Sequence, residues 1–140
     1  MEAKEGLKEI FVFPSLENER GEIERAAGVF AGENTDAFVS SFMEAARVSE
    51  LVPLPEEEWA KLENTDSHDI PIGDWGMVKY HSDSEGRDWQ SLKTKIESGE
   101  SLDAPIILKT AGKLHLVSGN TRLMVSRAIG ITPKVLLVNM

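Results

Sequence analysis

The sequence predicts an α/β (α+β) fold: a small mixed sheet with helices, carrying an additional N-terminal helical layer. Three observations predict it. Apolar residues run together or alternate at 106–108, 114–117 and 135–138, while those at 121–129 are helix-spaced, so strand, strand, helix and strand follow one another. The stretch 36–50 repeats its apolar residues at helical spacing. A chain of 140 residues with 41% hydrophobic content is the size of one compact domain, and it can bury a core without disulfides or metal. We therefore expect a single domain over 1–140, with an acidic, mostly helical part at 1–70 and a sheet-bearing part at 75–139.

Taken in order, Leu7 to Phe13 ends in a short β-branched and aromatic run that reads as a strand, and Pro14 stops it. Residues 14–21 are polar and read as a loop. Ile23, Ala26, Ala27 and Phe30 are helix-spaced, which predicts a helix over 22–30 ending at Gly32. Asn34, Thr35 and Asp36 signal a helix start, and Phe38, Phe42, Ala45 and Ala46 follow on one face, predicting a helix over 36–50. Val52-Pro53-Leu54-Pro55 breaks it. Pro55 followed by Glu56, Glu57 and Glu58 reads as the first turn of another helix, since proline suits the first helical position and carboxylates suit the positive end of the dipole. Trp59 and Leu62 form its expected buried face.

Residues 64–74 are turn-rich and form the candidate boundary between the two parts. Asp66, His68 and Asp69 are metal-ligand types, but three in four residues make a poor cage without partners elsewhere, so no metal site is assigned. Trp75 to Tyr80 reads as a strand and 81–87 as a polar loop. Asp88 is expected to cap a helix over 89–98, with Trp89, Leu92 and Ile96 on one face and Gly99 just past its end. Ile106 to Leu108 reads as a strand, turning at Thr110–Gly112. In the strand 113–117, Leu114 and Leu116 alternate with His115, a histidine more consistent with structure than with catalysis. A helix over 121–129 and a last strand from Lys134 to Val138 complete the chain.

There are no cysteines, which excludes a disulfide framework and thiol chemistry and fits a cytoplasmic setting. No run is long enough to span a membrane and no signal peptide is expected. The net charge of −9 is uneven: residues 1–70 hold 6 Lys/Arg against 17 Asp/Glu, and residues 71–140 hold 9 against 7. The acidic half is a poor surface for nucleic-acid backbone, so direct DNA binding is not expected. It is a solvated face or a surface for a protein partner.

The candidate site is Ser118, Gly119, Asn120, Thr121 and Arg122, where a strand hands over to a helix. Such a junction presents unpaired backbone N–H groups and the positive end of the helix dipole, which suits a phosphate. Arg122 would fall in the first helical turn and offer a forked pair of donors. Two alternatives remain beside this one. Ser, Asn and Thr are also ordinary capping residues, and Arg122 is either solvent-facing or tied to an acidic neighbour in the first half.

The C-terminal half resembles the ParB/sulfiredoxin superfamily over residues 75–139. The resemblance is carried by the helix Trp89–Ile96, by Ala104-Pro105-Ile106-Ile107-Leu108, by Gly112 to Val117, by Ser118-Gly119-Asn120-Thr121-Arg122 and by Ala128-Ile129-Gly130. It implies nucleotide binding at Ser118 to Arg122. The ligand would be a nucleoside triphosphate or diphosphate with Mg²⁺, and phosphoryl transfer, nucleotide hydrolysis or nuclease action are the reactions open to it. Sulfiredoxin repair chemistry is excluded, because it needs a thiolate. Chromosome-partitioning members add a DNA-reading domain, for which no room is expected after Met140, and only Arg122 and Arg127 of their longer arginine motif are kept. Small-molecule kinases of the family use an additional carboxylate as base. His81, Asp83, Glu85 and Asp88 are candidates by sequence proximity alone, so catalytic residues stay unassigned. The competing expectation is a non-catalytic adaptor or accessory protein acting through its acidic N-terminal surface.

Overall fold

A computed structural model describes residues 10–84 and 88–140. The start of the strand expected from Leu7 and the base candidate Glu85 lie outside the described residues, as does the side chain of Asp69.

The fold is mixed α/β. Its centre is a five-stranded sheet of β2 (Leu51–Pro53), β7 (Lys134–Asn139), β5 (Ile106–Thr110), β6 (Lys113–Ser118) and β3 (Leu62–Glu63), in that spatial order. β5 and β6 form an antiparallel hairpin, β7 lies parallel to β5, β3 parallel to β6, and β2 antiparallel to β7. The two outer strands come from the first half of the chain. Neither was expected: β2 occupies the segment read as a helix breaker, and proline is tolerated there because β2 is an edge. A separate parallel pair joins β1 (Phe11–Val12) to β4 (Leu102–Asp103).

Strand residues alternate between two buried faces, which is why β5 and β6 read as nearly continuous apolar runs. Ile106, Leu108, Val117, Leu136 and Val138 face α1 (Arg20–Phe30) and α2 (Thr35–Arg47), packing against Ile23, Ala27, Phe42 and Ala46. Phe42 is fully buried, a burial worth roughly 1.5–3 kcal/mol. Ile107, Leu114, Leu116 and Val135 form the other face, with Leu123, Trp59 and Leu62. The short α3 (Glu56–Trp59) begins after Pro55, which is its cap rather than its first residue.

A third layer covers the outer side of α6 (Asn120–Ile129). Met124, Val125 and Ala128 pack against Val78 of α4 (Trp75–Ser84) and Ile96 of α5 (Trp89–Glu97). The strand expected over 75–80 is therefore a helix. Trp75, Val78 and Ser82 share one face at helical spacing, and Asp74 Oδ1 accepts from Met77 N at 3.1 Å in the manner of a cap. The short apolar run fits either period, and packing on α6 decides it. The same helix takes in residues 81–84 of the expected loop. Asp88 caps α5 as expected, accepting from Ser91 N at 3.1 Å.

Candidate functional site

At the β6–α6 turn the register of β6 against β5 slips between Ile106 and Ile107, leaving Val117 without an opposite residue just before the strand ends. Ser118 closes the strand, Gly119 is the cap of α6 with φ of 110°, and Asn120 begins the helix. This is the strand-to-helix handover the sequence predicts. A Cβ on Gly119 would stand 2.7 Å from Pro105 Cβ, so a glycine is required there by Pro105 alone.

Arg122 does not face solvent. Its side chain is 15% exposed, and so is that of Glu19. One terminal nitrogen donates to Asp103 O at 2.5 Å, and the other to Glu19 Oε1 at 3.0 Å and Ser118 Oγ at 3.1 Å. Ser118 Oγ in turn donates to Glu19 Oε2 at 2.5 Å. A carboxylate from the front of α1 thus bridges the serine and the arginine at the head of α6. The arginine is tied to the acidic half, because the turn before α1 crosses directly over the start of α6.

Asn120 is equally committed. Its Oδ1 accepts from Thr65 Oγ1 at 2.7 Å and Asp66 N at 3.0 Å, and its Nδ2 donates to Asp66 Oδ2 at 3.1 Å. Thr65 continues to Ser67 Oγ at 2.7 Å, which accepts from Trp59 Nε1 at 2.7 Å. The turn-rich 64–67 segment is therefore fastened to α6. His68 spends its Nε2 on Leu62 O, and Arg127 binds Glu56 at 2.6 Å while lying over Trp59. Among the described residues no three metal-ligating side chains come together.

A cleft of about 820 Å³ opens over this turn. All five predicted residues, Ser118 to Arg122, line it; Ser118 and Thr121 are buried, at 6% and 7% exposure, and Asn120 is half-buried. Arg25 adds a second guanidinium, while Glu19, Glu22, Asp66 and Asp88 make the rim acidic. His115 also lines it, with burial pulling its pKa below the ordinary value and Glu63 opposing that shift. Of the base candidates, Asp88 reaches the cleft but its carboxylate caps α5. Asp83 pairs with Lys79 at 2.5 Å, and His81 lies 3.8 Å from Asp66.

The residues that sequence reasoning missed are Glu19, Thr65 and Arg25. Glu19 is 103 positions from Arg122, and no local spacing signals such a pair. No helix among the described residues is long and apolar enough to cross a membrane. Comparison with protein-family models, curated proteins and solved structures finds no match.

Proposed function

We propose that the cleft over the β6–α6 turn binds a phosphorylated nucleotide, with the phosphates at the head of α6 and phosphoryl transfer or nucleotide hydrolysis as the chemistry it would serve. The observation that carries this reading is the convergence of Ser118, Arg122 and the first turn of α6 on one open cleft of about 820 Å³, a volume within the usual range for small ligands. The sequence resemblance to the ParB/sulfiredoxin superfamily supports the same place. The acidic rim of Glu19, Glu22, Asp66 and Asp88 would repel a bare polyphosphate. A nucleotide carried with Mg²⁺ would meet less repulsion, and that ion asks for only one or two protein carboxylates; Asp66, which lines the cleft, is the candidate, Asp88 being held as the cap of α5. Positioning and charge stabilisation by the turn and Arg122 would do most of the work.

The test is a titration with ATP, CTP and ADP, with and without Mg²⁺, followed by amide shifts at Gly119, Asn120 and Thr121. Saturable shifts there that depend on Mg²⁺ support the reading. No shift with any of the three at millimolar concentration, in the wild type and in Glu19→Gln alike, ends it.

A second reading draws on Arg122, both of whose terminal nitrogens already have protein acceptors. In it the site is structural, and the chain is a non-catalytic adaptor that meets a basic protein partner through its acidic first half. An unchanged amide spectrum with every nucleotide would favour that reading.

A further inference from the structure

Glu19 immediately precedes α1, and its carboxylate uses both oxygens on the head of α6: 3.0 Å to Arg122 and 2.5 Å to Ser118 Oγ. A phosphate group at that place makes the same demand, two donors within hydrogen-bond reach. One pair of donors cannot serve two anions. We propose that Glu19 is a built-in competitor: its carboxylate occupies the position between Arg122 and Ser118 that a ligand phosphate takes, and ligand binding displaces it. The inference rests on the nucleotide-phosphate reading of the cleft and adds its regulation.

Two features suit this arrangement. Arg122 keeps its second hold, on Asp103 O at 2.5 Å, so the guanidinium stays aimed when the carboxylate leaves. The turn carrying Glu19 has its own anchors, Glu19 N to Ser15 O at 3.2 Å and Ser15 N to Asp103 Oδ2 at 3.0 Å. The carboxylate can therefore rotate away while the turn stays in place. The apparent affinity for phosphate is lowered by the fraction of molecules in which Glu19 is seated.

The experiment measures binding of magnesium ADP and of inorganic pyrophosphate to the wild type, Glu19→Gln and Glu19→Asp. Glutamine removes the charge, and aspartate is too short to span both donors. Both variants should bind about 10-fold tighter or more, the factor associated with one charge-assisted hydrogen bond. If the wild type binds and the variants bind equally or more weakly, the competitor role is overturned and the nucleotide reading stands. If neither wild type nor variants bind, both fall. The wild type supplies an independent readout that needs no variant. The Glu19 side-chain carboxyl carbon resonance should move on saturation with magnesium ADP, and an unmoved resonance in the saturated complex overturns the proposal.

Discussion

Gly119 is packed directly on the ring of Pro105: a Cβ built on Gly119 would lie 2.7 Å from Pro105 Cβ and 2.9 Å from its Cα. Pro105 leads into β5 and Gly119 caps α6, so this contact joins the turn to the centre of the sheet. The glycine that suggests close approach to a ligand is thus already required by close approach to a proline. Its backbone, at φ of 110°, is also one that other residues rarely adopt.

Gly119→Ala should therefore be costly. Left-handed strain of about 1–3 kcal/mol adds to an overpacking cost of about 1–3 kcal/mol. Gly112→Ala is the control, because Gly112 has φ of 78° but nothing within 4 Å of its built Cβ. It should lose only the strain. Urea unfolding of both variants checks this, and equal losses would mean that Pro105 moves aside.

Arg122→Ala should lower stability, contrary to the expectation for a surface arginine. It removes bonds to Asp103 O, Ser118 Oγ and Glu19 and leaves a carboxylate at 15% exposure without its guanidinium. A loss of roughly 2–4 kcal/mol is expected. In a double-mutant cycle with Glu19→Ala the two residues should couple by more than about 0.5 kcal/mol. Arg122→Lys should restore part of the loss, since an ammonium cannot hold Asp103 O and Glu19 together. Denaturant unfolding reads these quantities, and a loss under about 1 kcal/mol for Arg122→Ala would make the pair equivalent to an exposed one.

His115 gives a pH dependence with a defined sign. Its ring stands edge-on to Phe30, with centroids 4.9 Å apart, and burial lowers its pKa from 6.5 despite Glu63. The unfolded chain then takes up the proton more readily than the folded one. Stability is complete above the unfolded value and falls as pH drops below about 6.5. His115→Gln should flatten the stability curve between pH 7 and the lowered folded value. Parallel curves for wild type and variant, from thermal melts across that range, would rule this out.

A fragment of residues 75–140 should not fold alone. It lacks α1, α2 and both outer strands, and would expose Ile106, Leu108, Leu136 and Val138, each 0% exposed in the whole chain. Each burial is worth roughly 1.5–3 kcal/mol, together comparable with a typical domain's entire stability of about 5–15 kcal/mol. Circular dichroism of the fragment should show no cooperative melt. A cooperative melt would divide the chain into two independent units.

The order strand, hairpin turn, strand, helix, strand over 106–139 was legible in the residues themselves, because each element is a short apolar or alternating run bounded by turn residues or by a change of period. The amphipathic helix expected over 36–50, which ends at Arg47, and the Asp88 cap were legible for the same local reason. Trp75 to Tyr80 was not: its few apolar residues fit two periods, and only contact with Met124 and Val125 of α6 selects the helical one. The outer strands β2 and β3 are two or three residues long and exist because β7 and β6 offer them hydrogen bonds. At the site, local spacing is enough to locate the turn and the residue types gathered there. Their partners are set by long-range packing. Glu19 on Arg122 and Thr65 on Asn120 are contacts between residues 103 and 55 positions apart, and only the packing of α1 and the 64–67 segment against α6 brings them within hydrogen-bond reach.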